Sequence, residues 1–218
     1  MSTQSLKLEV SHSVGKVSAK YIVPEKPKCI FTLAHGAGAG MDHSFMETLA
    51  DSLSKVGIAT LRFNFPFAEH KKGRPDSPAI AHMTIEAAIS KARELNPKLP
   101  LFASGKSFGG RMTSQFLAGH PDSSVKGIVF YGFPLHPSGK PSTERADHLK
   151  ELKIPMLFLQ GSKDTLATWA LIKTVCESLR KATLVKLEGA DHSFKAGKID
   201  VMSLLVDETK KWMEKILK

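Results

Sequence analysis

The sequence predicts an α/β fold: one mostly parallel sheet of about eight strands with helices on both faces. Three observations carry this. Short runs rich in β-branched residues, Leu and Phe alternate with longer stretches of 3.6-residue apolar periodicity. From the second run onward the short segments are almost unbroken apolar sequence, as burial on both faces requires. No linker, low-complexity tract or internal repeat divides the 218 residues. Two separate cores would leave each too few elements, so residues 1–218 read as a single domain.

The elements follow in order. Leu6–Val10 and Val17–Pro24 form an opening hairpin across the turn-forming Ser13–Gly15. Cys29–Ala34 is the first wholly apolar strand. Phe45–Val56 is a helix, with Phe45, Leu49, Leu53 and Val56 on one face. Ile58–Phe65 is a strand, and Ile80–Leu95 a helix aligned on Ile80, Ile85, Ala88 and Ala92. Leu99–Ser104, Gly109–Ala118 and Val125–Tyr131 read as strand, helix and strand. A short helix is expected near Glu144–Leu152, then strand Pro155–Gln160, helix Thr165–Lys181 and strand Thr183–Leu187. The amphipathic helix Ile199–Leu217 closes the chain, turning Met202, Leu205, Val206, Met213 and Ile216 inward.

Composition excludes several classes. With 42% hydrophobic and 24% charged residues the chain is neither mainly disordered, nor a collagen, nor a coiled coil. No apolar run approaches the ~20 residues that span a bilayer. The polar Met1–Val10 has no apolar core of a secretory signal, and Cys29 and Cys176 are too few for a disulfide framework. The expected compartment is the cytoplasm, and the expected state a monomer or small homo-oligomer. Lys and Arg number 31 against 21 acids, a formal charge of +10. The cations are mostly Lys and spread along the chain, and the group Lys210, Lys211, Lys215 and Lys218 lies at a helix C-terminus that favours positive charge. Nucleic-acid binding is therefore not expected.

In an open α/β sheet ligands bind at the carboxyl ends of strands. Gly105-Lys106-Ser107-Phe108-Gly109 follows a strand and opens a helix. This G-x-S-x-G pattern makes a sharp turn that lifts the serine hydroxyl clear of the sheet, with the Phe108 N–H at a helix N-terminus. The same residues resemble the end of a phosphate-binding P-loop, but that motif needs glycine where Pro100 stands. His35-Gly36-Ala37-Gly38-Ala39-Gly40 follows the first apolar strand and lets backbone approach the serine closely. Ala37, with Gly38 as the fallback, is the expected second N–H donor to an oxyanion, and His35 braces the loop. A dinucleotide fingerprint fails there because its third glycine would be Met41.

Two further loops complete the constellation. Asp164 lies in Gln160–Asp164, where a carboxylate can hold an imidazole in one tautomer. His192 lies just past the last strand; His12, His70, His82, His120 and His148 fall far from that edge. The neighbour Asp191 is the weaker partner for His192, since adjacent loop side chains point apart. The order Ser107, Asp164, His192 is the Ser, Asp, His order known from one hydrolase fold and differs from the chymotrypsin and subtilisin orders.

On His35–Gly38, Leu61–Phe67, Gly105–Gly110 and Gly132–Pro137, the chain resembles the α/β-hydrolase superfamily over nearly its full length. It is most similar to the small, capless, dienelactone-hydrolase-like branch, which also holds a subunit of the nonspecific-lethal chromatin complex. The resemblance implies a Ser107 nucleophile with Asp164 and His192 as partners, an oxyanion hole at Ala37 and Phe108, and no metal or organic cofactor. Dienelactone hydrolases proper carry a cysteine where Ser107 stands. The implied function is a serine hydrolase acting on an ester, thioester or related acyl bond of a small substrate. A protein-interaction module without turnover is the alternative. Gly38, Met41, Phe67, Phe108, Phe133 and Leu135 are expected to line an apolar pocket, and His43, Arg74, Arg111 and His136 to offer positive charge to a substrate. Only about two dozen residues separate Tyr131 from Pro155, too few for a lid domain.

Overall fold

The computed structural model describes residues 2–121 and 124–218, so Met1 of the polar opening segment lies outside it. One eight-stranded sheet runs in the order β1-β2-β4-β3-β5-β6-β7-β8. β1 (Ser2–Ser11) and β2 (Gly15–Val23) form the opening hairpin, and β2 also pairs antiparallel with β4 (Ile58–Phe63). The other pairings are parallel, through β3 (Cys29–Ala34), β5 (Leu101–Lys106), β6 (Ile128–Tyr131), β7 (Met156–Gly161) and β8 (Ala182–Leu187). This is the α/β-hydrolase fold expected from the sequence.

The helices cover both faces. On one side α1 (Ser44–Lys55) and α6 (Val201–Ile216) press Met46, Leu49, Leu53, Leu205 and Met213 onto Phe31, Phe102 and Leu157. On the other, α3 (Pro78–Leu95), α4 (Phe108–Gly119) and α5 (Trp169–Ser178) bring Ile85, Met112, Phe116 and Ile172 onto Ala103, Phe130 and Phe158. Both cysteines are free and buried, and burial pushes each thiol up to about 12. Residues 132–155 hold a loop and a 3-10 helix, Glu144–Glu151, and no separate cap. No helix among the described residues is long and apolar enough to cross a membrane.

Several boundaries differ from the expected ones, each for a local reason. The strand expected over Ile58–Phe65 ends at Phe63 because Pro66 cannot continue a ladder; it sits in the first turn of a short helix, α2 (Pro66–Glu69). β5 starts later and runs on through Lys106, directly into the serine. The strand expected from Val125 begins at Ile128, although Lys126 N–H still bonds Leu101 O at 2.8 Å. The helix expected from Thr165 starts only at Trp169, because Asp164 holds the preceding residues in a turn: its Oδ1 accepts Leu166 N–H and its carbonyl accepts Ala167 N–H. β8 is an edge strand with Thr183 and Lys186 exposed, not a run buried on both faces.

The register decides what meets at the carboxyl edge. Ala34 pairs with Gly105, and Lys106 with Tyr131, so the loops after β3, β5 and β6 open side by side.

Candidate active site

The turn between β5 and α4 is built by close approach. A Cβ on Gly105 would collide with the backbone of Gly109 and Gly110, and one on Gly109 would lie 2.6 Å from Ala34 O. Only glycine allows the strand, the helix and the end of β3 to pack at this spacing. Ser107 pays with a positive φ of 49°, a conformation that non-glycine residues hold only where surrounding structure enforces it. Its N–H donates to Tyr131 O at 3.3 Å.

Three distant side chains meet there. Ser107 Oγ lies 2.8 Å from His192 Nε2, and His192 Nδ1 lies 2.7 Å from Asp164 Oδ2. A carboxylate only accepts, so Nδ1 carries the proton and Nε2 is free to accept from the serine. Asp164 is almost fully buried, and every oxygen has a partner: Oδ2 also accepts Gln160 Nε2–H at 2.6 Å, and Oδ1 accepts Leu166 N–H at 2.8 Å. Gln160 is itself fixed, its Oε1 accepting Phe133 N–H at 2.9 Å. Asp191 takes no part in this chain. Its Oδ1 accepts Ser193 and Lys195 N–H groups at 2.8 and 2.9 Å and so shapes the turn that carries His192.

Lys106 was not singled out in the sequence. Its Nζ donates to His192 O at 2.7 Å and lies 5.1 Å from the Phe194 ring centre, pinning the histidine loop to the elbow. Burial holds this ammonium down to about 8, while Asp164 and Asp191 pull upward. The available signal was a charge at the end of an otherwise apolar strand.

The glycine loop after β3 closes on the serine: a Cβ on Gly36 would lie 3.7 Å from Ser107 Cβ. The N–H groups of Ala37 and Phe108 make no hydrogen bond to any described residue. His35 is wholly buried and braces this loop, its Nε2 accepting Phe65 N–H at 3.0 Å and its Nδ1–H donating to Gly36 O at 2.8 Å. Both partners demand the neutral ring, and burial lowers its pKa from 6.5 to about 4. The unfolded chain takes up this proton below pH 6.5, the folded one only near 4, so stability falls as pH drops through that window. The contribution is roughly 3 kcal/mol over the full interval. Urea midpoints should fall between pH 6.5 and about 4. A His35→Gln variant should show a flatter slope; an unchanged slope would contradict the assignment.

The sequence profile of the alpha/beta hydrolase domain matches residues 27–216. The chain belongs to the alpha/beta hydrolase family. Solved structures agree in fold. A serine hydrolase without a lid from Xanthomonas campestris superposes with a TM-score of 0.78 at 21% identity, covering 97% of this chain and 95% of that one. A dienelactone hydrolase from Anabaena variabilis gives 0.78 at 21% identity, covering 99% of both. A Mycobacterium tuberculosis protein provisionally named a phosphoribosyl transferase is 26% identical over 182 residues, 82% of this chain. This chain spans about two-fifths (39%) of that relative's length.

In this chain the serine opens into a cavity of about 370 Å³, within the range that small ligands occupy. Its walls are not the expected ones. Gly38 lines it, but Met41, Phe67, Phe133 and His136 are each 5% exposed or less and do not. Phe67 packs on Phe65 and Phe108, and Phe133 on Phe130 and Phe158, filling core space beneath the loops. Leu135 and Phe108 are likewise buried and do not line it. His136 is tied by Pro137 O and by Thr168, whose N–H donates to its Nε2 at 2.9 Å. The apolar wall comes instead from Phe45 and Met46 at the start of α1 and from Leu166. Of the expected cations His43 lines the cavity, its Nδ1 accepting Phe45 N–H to cap α1, while Arg74 is exposed in the loop after α2.

Proposed function

We propose that this hydrolase is a serine hydrolase cleaving an ester, thioester or related acyl bond of a small substrate. The observation that carries the reading is the unbroken Ser107–His192–Asp164 hydrogen-bond chain facing a cavity beside two unpaired backbone N–H groups. Ser107 Oγ attacks the acyl carbon as its proton passes to His192 Nε2. Asp164 holds the ring and stabilises the imidazolium. The Ala37 and Phe108 N–H groups receive the oxyanion; losing one such donor typically costs ~10²–10³ in kcat. His192 returns the proton to the leaving alkoxide or thiolate, and water removes the acyl group by the same route.

A module without turnover has no need of an aligned hydroxyl, imidazole and carboxylate, which argues against that alternative. Phosphoribosyl transfer is not carried over, since the match covers a minor part of the protein so named. The test is a series of nitrophenyl and coenzyme A esters of increasing acyl length. Short and medium acyl chains should be turned over, with kcat/KM falling once the chain outgrows the cavity. Failure to hydrolyse any of them would overturn the reading.

A further inference from the structure

One side chain joins the glycine loop, the elbow and the histidine turn. Lys106 ends β5 and immediately precedes Ser107. Its stem packs on the glycine loop, since a Cβ on Gly36 would lie 3.8 Å from Lys106 Cγ. Its Nζ reaches the histidine turn and donates to His192 O at 2.7 Å. Gly132, at a φ of 73°, leaves that passage clear; a Cβ there would lie 3.4 Å from Lys106 Nζ and 3.7 Å from Asp164 Oδ2. The ammonium therefore stands near the carboxylate that holds the imidazole, while bonding the backbone of the imidazole's own residue. Lys106 also lines the cavity at the serine, whereas Arg111, one turn along α4, does not.

The histidine turn depends on such a tie. Residues 191–195 are held together from within: Asp191 Oδ1 accepts the Ser193 and Lys195 N–H groups, Asp191 N–H donates to Lys195 O, and Phe194 N–H donates to Asp191 O. Phe194 sits at a φ of 63°, which a non-glycine residue keeps only under constraint from its surroundings. Phe194 packs on Phe45 with ring centres 5.6 Å apart. Apart from the Ser107 and Asp164 bonds to the imidazole itself, Lys106 Nζ makes the hydrogen bond that links residues 191–195 to the rest of the chain among the described residues. Burial disfavours the charged amine, and Asp164 and Asp191 oppose that effect. A bond from an ammonium to a carbonyl is roughly twice as strong as one between neutral groups. The backbone of the base is thus anchored to the residue that carries the nucleophile into its turn.

We propose that Lys106 is a positioning residue: by tying the His192 carbonyl to the residue before Ser107, it holds the imidazole in line with the serine hydroxyl. The inference rests on the acyl-transfer reading above and names what fixes its base to its nucleophile. The experiment uses Lys106→Met, which keeps an unbranched stem without N–H donors, and Lys106→Cys before and after treatment with 2-bromoethylamine. The thiolate displaces bromide, and the new thioether carries an ammonium at the length of lysine. Position 106 lines the open cavity, while Cys29 and Cys176 are buried with thiols pushed up to about 12, so residue 106 is the expected site of modification, checked by peptide mass. On a short-chain nitrophenyl ester, kcat should fall about 10–100-fold in Lys106→Met and in untreated Lys106→Cys, the loss that a misplacement of ~1 Å brings. KM should stay within about threefold, and aminoethylation should return kcat to within about fivefold of the wild type. An unchanged kcat in Lys106→Met, a loss in KM alone, or a cysteine variant left as slow after aminoethylation overturns the positioning role. A second readout needs no turnover. The proton shared between His192 Nδ1 and Asp164 should give a far-downfield NMR resonance, absent from His192→Ala. It should broaden or vanish in Lys106→Met and in untreated Lys106→Cys, and return on aminoethylation. No such resonance in the wild type, or one equally sharp in Lys106→Met, overturns the proposal. A resonance lost and restored in this way, with every ester inert in the wild type, would sink the acyl-transfer reading and leave the positioning role standing.

Discussion

Ser107→Ala is expected to lower kcat by ~10⁴–10⁶ with a small change in KM. On the acyl-transfer proposal the effect is large because the hydroxyl oxygen is the atom that receives the acyl group, and no neighbouring hydroxyl replaces it. Ser193 also lines the cavity but lies on the histidine turn, where its N–H is tied to Asp191. The backbone N–H of residue 108 and the cavity remain in the variant, so residual activity comes from binding and oxyanion stabilisation alone. Alanine also lacks the hydroxyl that donates to His192 Nε2, yet the turn is enforced by Gly105 and Gly109, so the protein should fold. Circular dichroism and ester kinetics on the same preparation check both halves. Retention of more than a few per cent of the activity would contradict the nucleophile assignment.

Asp164→Asn is expected to cost ~10⁴ in kcat. The hydrogen-bond inventory at this carboxylate explains the size. Oδ2 accepts from both His192 Nδ1 and Gln160 Nε2, and Oδ1 accepts from Leu166 N–H. An amide has only one acceptor oxygen. If its NH₂ faces His192, the ring must turn to the Nε2–H tautomer, which cannot take the serine proton, and the NH₂ also meets the Gln160 donor. If its NH₂ faces Leu166, a buried N–H loses its acceptor and the turn loosens. The imidazolium loses its counter-ion in both cases. A fall in kcat below tenfold would show that Asp164 merely packs beneath His192.

Much of this architecture is legible in the sequence because each part has a local physical signature. The apolar runs of β3 to β7 and the periodic faces of α1, α3 and α6 follow from burial. The glycines at 105 and 109 announce a turn that only they permit. Asp164 and His192 were legible only together, through their order along the chain and their place after successive strands. What escaped was tertiary. Hydrophobicity says that Met41, Phe67 and Phe133 are inside, but not whether inside means a cavity wall or the core beneath it. The rings of Phe67 and Phe133 fill the space under the loops, and the wall falls to Phe45, whose periodicity placed it on the apolar face of α1, and to its neighbour Met46. Gln160 and Lys106 act across 4 and 86 residues on groups whose positions no local pattern fixes. Helix α2 is four residues long, too short for periodicity to register, and Pro66 alone signalled it.

The central claim is that the hydroxyl of Ser107 is activated by its neighbours. A fluorophosphonate reacts only with a serine so activated and leaves a covalent phosphonyl adduct that peptide mass spectrometry locates. The account predicts one adduct per chain, on the peptide containing Ser107, lost in Ser107→Ala and greatly slowed in His192→Ala. An unlabelled Ser107, or a label on another residue, would contradict it.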